Sequence, residues 1–205
     1  VVPCFFQCAM VIDETWHGMD GWSPRSRAGC DTMGFYSQLG SLCSMLATLQ
    51  VGVITHRAAH GRRLPPKPAV IATSVFIFGA CIAVSLLPLV GVVKPYALTD
   101  GGFCYVDWYD PPQAITMLGI CVPTMAAVVA LYGGAMRTGE WEKPLDLLLL
   151  IIGFLSAWVL WPPASIIGLV GGTFPPHYMI AGGVLGHAQA LILSLIHISE
   201  PTRRS

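Results

Sequence analysis

Cysteine and histidine are the most reactive side chains in this sequence, with seven and six copies respectively. Cys30 stands at the start of a long stretch poor in charge, and Cys104 lies in the polar Gly-Gly-Phe-Cys-Tyr segment between two apolar stretches. If both face an oxidising compartment, their thiols can join. That bridge closes a loop of about 74 residues and is worth about 3–4 kcal/mol by loop entropy. Cys43, Cys81 and Cys121 fall in the middle of apolar stretches and read as small buried hydrophobes, as do Cys4 and Cys8. His187, beside Gln189, sits deep in the last apolar stretch. An ionisable group there turns toward the protein interior, either to touch a ligand or to hydrogen-bond a neighbouring helix. No second ligand shares its spacing, so no metal site is expected. Motifs for catalysis are missing: there is no His-Glu-x-x-His, no Gly-x-Ser-x-Gly and no phosphate-binding loop. Asp31 and Asp146 lie near opposite ends of their stretches, so no carboxylate pair is set for a mid-membrane proton or ion relay. The expectation is a protein that is not an enzyme and carries no cofactor.

The elements that must position these residues are apolar blocks. Hydrophobic residues make up 54% of the chain and charged residues 11%, against roughly 25% charged in a soluble domain. Basic and acidic residues balance at 11 each, which argues against a nucleic-acid partner. Crossing a hydrocarbon core takes roughly 20 helical residues. Four blocks meet that length, at residues 68–92, 112–136, 145–170 and 177–197; a fifth, 30–55, is more polar, and Val1–Ile12 is too short to span. The basic residues set the orientation. Arg57, Arg62, Arg63 and Lys67 crowd one short linker and Arg137 and Lys143 another, which places both linkers in the cytoplasm. Cys30 and Cys104 then share the outer side with Asp100, Asp107 and Asp110.

Gly34, Ser37, Ser41 and Ser44 form one narrow small-residue face, and Gly182, Gly186 and Ala190 another. Such faces let helices approach closely in lipid, although glycine and serine are also simply common in membrane helices. Pro123 is expected to interrupt its helix, and Pro162 with Pro163 to break the next one beside Trp158 and Trp161. The break is either a static kink or a pivot for the cytoplasmic half.

With these residues placed, the chain resembles part of a seven-helix G-protein-coupled receptor. Cys30-Asp-Thr-Met-Gly34-Phe35-x-x-Gln38-Leu-Gly40 is similar to the start of the third helix in rhodopsin-like and cyclic-AMP-receptor-like proteins. Phe103-Cys104-Tyr105 resembles the cysteine motif of the second outer loop, and Pro123 the proline of the fifth helix. Phe154-Leu-Ser-Ala157-Trp158-Val-Leu-Trp161-Pro162 resembles the aromatic–proline switch of the sixth, and Gly186-His187-Ala-Gln-Ala-Leu-Ile192 the run toward Asn-Pro-x-x-Tyr in the seventh. The likeness covers Cys30 to Ile192. Two departures stand out. Thr55-His56-Arg57-Ala58 lacks the acidic residue that rhodopsin-like receptors place before the arginine, and Arg57 lies farther from Cys30 than the usual register. Either the helix is longer or Arg57 is not the equivalent arginine, which favours the cyclic-AMP-receptor-like branch or a divergent receptor. His187 falls where opsins carry their retinal-binding lysine, and its helix has no lysine, which excludes a Schiff-base pigment.

The resemblance implies an all-α membrane protein. It would be a partial seven-transmembrane helix bundle, from the end of helix two through most of helix seven, over residues 1–192. Residues 193–205 look like translated sequencing-adapter read-through rather than native protein. A multi-pass position in the plasma membrane would follow, with an extracellular ligand and a heterotrimeric G protein as partners. The ligand would meet Phe35, Gln38, Trp158, Trp161 and His187, under a lid of Tyr105 and Trp108. Arg57, Arg62, Arg63 and Arg137 would face the G protein, although the positive-inside rule alone would also place them there. A polytopic transporter or channel is the alternative; it predicts an inverted repeat and polar residues at the midplane on broken helices.

Overall fold

The computed structural model describes residues 27–98, 104–138 and 144–173, together with Tyr178, Ala181, Gly182 and Leu185. In chain order the elements are α1 (Arg27–Ala59), α2 (Lys67–Leu86), strands β1 (Ala97–Leu98) and β2 (Cys104–Tyr105), α3 (Pro111–Arg137), α4 (Pro144–Trp158) and α5 (Trp161–Leu169). Four stretches among the described residues are long and apolar enough to cross a bilayer: α1, α2, α3 and Leu150–Leu169, which α4 and α5 share. The chain is a multi-pass membrane protein. The expected spans at 30–55, 68–92, 112–136 and 145–170 are present with shifted ends; the one at 177–197 and the short Val1–Ile12 lie outside the described residues, apart from the four isolated positions.

Local chemistry explains where the helices start and stop. Proline occupies the first turn of α2, α3 and α5, where its missing N–H would have no intrahelical partner anyway. At the end of α1, Gly61 takes φ 60°. Its N–H bonds to Ala58 O at 3.0 Å while Arg62 N reaches Arg57 O at 2.9 Å, the pair of bonds that caps a helix through a left-handed residue. Gly171 repeats this after α5, with φ 74° and Gly172 N bonded to Ile167 O at 2.9 Å. Because α1 continues to Ala59, Arg57 belongs to its last turn. Pro123 lies inside α3, which runs through it without interruption. That corrects the expected break: one lost backbone donor leaves the flanking turns intact when the rest of the helix is packed. Pro162 and Pro163 do break their span, at a turn over Val159 and Leu160.

α1 is the central rod, packed against α2, α3 and β2, and α3 in turn meets α4 and α5. α2 runs antiparallel to α1, with Gln50 beside Val70 and Ser74 and Tyr96 linking Gln38 to Ser85. The outer end, named after the orientation expected from the basic residues, holds the start of α1, the end of α2, the two strands and the start of α3. The inner end holds the end of α1 and the end of α3, where His56 Nδ1 meets Leu131 O at 3.0 Å. α2 turns most of its circumference outward: Ile71, Val75, Phe76 and Phe78 are all exposed, and only Cys81 and Ser85 are buried on it. For a helix bathed in acyl chains this carries no penalty.

The small-residue face of α1 is used differently from the expectation. Gly34 seats the ring of Tyr96, from the loop after α2, so closely that an added Cβ would lie 2.3 Å from the ring. The tight α1–α3 approach comes lower, where Gly52 faces the Tyr132 ring and His56 lies against Gly134. Gly182 lies against the Trp161 ring, whereas Gly186 and Ala190 lie outside the described residues. Gly34→Ala should therefore destabilise the folded protein by about 1–3 kcal/mol through overpacking. Gly79→Ala, with nothing within 4 Å of the new Cβ, should be neutral or slightly stabilising. Thermal unfolding of the two variants in the same detergent checks the contrast.

Candidate functional site

The outer mouth is built on the segment between α2 and α3, and four ties hold it down. Cys30 and Cys104 are joined as a disulfide with their Cα atoms 5.2 Å apart, which fastens β2 to the first turns of α1. Strand β1 pairs antiparallel with β2, with Ala97 opposite Tyr105 and Leu98 opposite Cys104. Gln113, in the first turn of α3, bonds through its amide NH2 to Lys94 O and accepts from Asp107 N at 2.8 Å. Tyr96 supplies the fourth tie. Its hydroxyl lies 2.5 Å from the Gln38 side-chain amide and 2.7 Å from Ser85 O. One phenol has a single proton. It satisfies both contacts by donating to Ser85 O and accepting from the Gln38 NH2, once the amide is turned so that nitrogen faces the ring oxygen.

Over this base sits an aromatic stack. Tyr105 and Trp108 lie 5.5 Å apart, Trp108 and Trp161 5.3 Å apart, and Tyr105 and Trp161 5.4 Å apart, measured between ring centres. These separations are in the favourable range for offset aromatic pairs. Trp108 also fits over Gly168 of α5, where a Cβ would fall 2.2 Å from the Trp108 carbonyl oxygen. The loop is thereby clamped to the first helix and the last described helix together.

Trp161 belongs to the break as well as to the stack. Proline at 162 and 163 removes donors just past the turn, and side chains bond carbonyls on either side of it: Trp161 Nε1 donates to Ala157 O at 3.1 Å, and the Tyr178 hydroxyl donates to Leu160 O at 2.8 Å, which also accepts from Ala164 N at 3.2 Å.

The sequence-predicted residues divide accordingly. Tyr105, Trp108 and Trp161 are brought together in one stack, and all three are buried. Trp158 is buried on the other side of the break, beside Phe154. Phe35 is half-buried and pairs edge-on with its neighbour Tyr36. Gln38 is buried and engaged by Tyr96. His187 lies outside the described residues. At the inner end Arg57 donates twice to Arg63 O, at 3.2 and 2.8 Å, which folds the α1–α2 linker back on its helix. Arg62, Arg63 and Arg137 are exposed there. Tyr96, Gln113 and Tyr178 were missed in the sequence. The glycine at Gly34 was the only hint of the first, and nothing in spacing flags the other two.

Two polar groups of the loop keep unused capacity. Trp108 Nε1 and Asp110 Oδ2 are buried and have no hydrogen-bond partner, each an omission that costs about 1–3 kcal/mol. No group of three or more metal-ligating side chains occurs among the described residues. No protein-family model matches the chain, and no curated protein matches it.

Burial raises the Tyr96 hydroxyl above its ordinary value, with Tyr105 and Asp31 adding to the rise. Burial does the same for Tyr105, against a hydrogen bond from Ser41 that pulls the other way. A phenol held neutral in the fold and free to ionise when unfolded stabilises the protein fully below about pH 10 and progressively less as pH climbs above it. The melting temperature should therefore fall on the alkaline side of about pH 10, and less steeply in Tyr96→Phe, as followed by thermal unfolding across pH. Replacing both Cys30 and Cys104 by serine should cost about 3–4 kcal/mol, read as a lower denaturant midpoint.

Proposed function

We propose that this protein is a receptor of the seven-helix, G-protein-coupled kind, with a ligand site at its outer mouth and a G-protein contact at its inner end. The observation that carries this reading is the disulfide that ties the outer segment to the central helix and sets its aromatics on the broken span. A ligand that engages Trp108 or Asp110, whose polar atoms are buried without partners, would press on Trp161, and Trp161 is bonded across the break to Ala157. Differential contact with two arrangements of that break is what a population shift requires. At the other end Arg57, Arg62, Arg63 and Arg137 supply a basic surface for a partner or for anionic headgroups. The protein transduces and does not catalyse. It would work in the plasma membrane, with a heterotrimeric G protein as its cytoplasmic partner.

Ligand-stimulated guanine-nucleotide exchange is the test, on membranes that carry the protein together with a reconstituted heterotrimeric G protein. Stimulation by one class of ligand is expected, and Trp161→Ala should reduce it at least tenfold while leaving surface expression in place. No exchange across a broad ligand panel, with the protein folded at the cell surface, overturns the reading.

A further inference from the structure

The interface between α1 and α2 carries a line of polar contacts through the apolar layer. At its outer end Tyr96 bridges Gln38 of α1 and the Ser85 carbonyl of α2. Toward its inner end Gln50 of α1 donates to Val70 O at 3.1 Å and accepts from the Ser74 hydroxyl at 3.1 Å. These two points fix an antiparallel register in which Gln38 faces Ser85 and Gln50 faces Ser74. Between them the same register places Cys43 opposite Cys81, two helical turns from the Gln50–Ser74 contact on each helix. Both are free cysteines. They differ in access: Cys81 is 1% exposed, whereas Cys43 is only half-buried. Nothing in the receptor reading uses this pair.

We infer that Cys43 and Cys81 form an oxidisable dithiol between α1 and α2, which an organic hydroperoxide dissolved in the lipid closes into a second bridge. Cys43 is the thiol that a lipid-borne reagent reaches, and Cys81 is the shielded partner that resolves the intermediate, the arrangement found where a reactive cysteine sits next to a resolving one. In the first step the Cys43 sulfur attacks the terminal oxygen of the hydroperoxide. The O–O bond breaks, a sulfenic acid forms, and the thiol proton leaves with the alkoxide as an alcohol. In the second step the Cys81 sulfur attacks the sulfenic sulfur. The S–S bond forms, and the displaced hydroxide takes the Cys81 proton and leaves as water. Two thiols give up two electrons, and the hydroperoxide accepts them.

The surroundings favour this product over a bound metal. A soft metal ion would hold both sulfurs as lasting thiolates in the apolar layer, where charge is costly, whereas the oxidation needs only Cys43 to ionise, as its proton passes to the leaving oxygen. The disulfide is neutral and no more polar than the pair it replaces. It would lock α1 to α2 at mid-depth, in addition to the outer tie at Cys30.

The test uses the full chain in lipid nanodiscs treated with cumene hydroperoxide, followed by alkylation and peptide mass mapping without reduction. Expected is a new linked peptide pair carrying Cys43 and Cys81, beside an unchanged Cys30–Cys104 link that reports the folded population. Cys81→Ser should lose the new link and let dimedone trap a sulfenic acid on Cys43. Cys121→Ser should retain the link. The inference is overturned if Cys43 and Cys81 are both recovered as alkylated thiols while the Cys30–Cys104 link is intact. It is equally overturned if Cys43 is oxidised without becoming linked, or becomes linked to a different cysteine.

Discussion

Joining Cys30 to Cys104 is the constraint on which the outer half of the molecule depends. The segment it captures has little regular structure of its own, two strands of two residues each, and such a hairpin is not stable alone in water. Once β2 is fixed to α1, the remaining contacts become short-range. Tyr96 falls onto Gly34, Gln113 bonds the two sides of the loop, and the Tyr105–Trp108 pair reaches Trp161. The covalent tie removes conformational freedom from the unfolded chain, and the aromatic and amide contacts then set the loop in one place.

Much of this was legible in the sequence because lipid imposes simple rules. Unbroken apolar length gives the spans, and two cysteines at the same end of their spans give the bridge. The Trp158–Pro163 region was equally readable, since two consecutive prolines remove adjacent donors and a helix cannot bridge both. Pro123 misled because a single proline is absorbed by a helix packed on its neighbours; Ala114, Met117, Cys121 and Val128 are all buried along α3.

The candidate site was less legible, for a physical reason. Residue type says that Gln38, Tyr105 and Trp108 carry polar or aromatic groups, but it does not say which partner reaches them first. Gln38 is claimed by Tyr96, a residue from a loop whose path depends on tertiary contacts. The small-residue face of α1 shows the same limit. Gly34 does permit a close approach, yet it admits a side chain rather than a neighbouring helix, while the helix contact forms at Gly52. Periodicity identifies a permissive surface and leaves its occupant open.

The unequal lengths of the spans carry a mechanical consequence. α1 has 33 residues and α2 has 20, so at 1.5 Å per residue they measure about 50 and 30 Å. The shorter helix matches the hydrocarbon slab almost without surplus, and it begins at Lys67, directly after the extended Pro66. The longer one can lean or protrude when the slab thins or swells. Changes in membrane thickness should thus be felt first at α2, as a sliding force along the seam it shares with α1, and the molecule would respond to the lipids around it as well as to anything that binds its mouth.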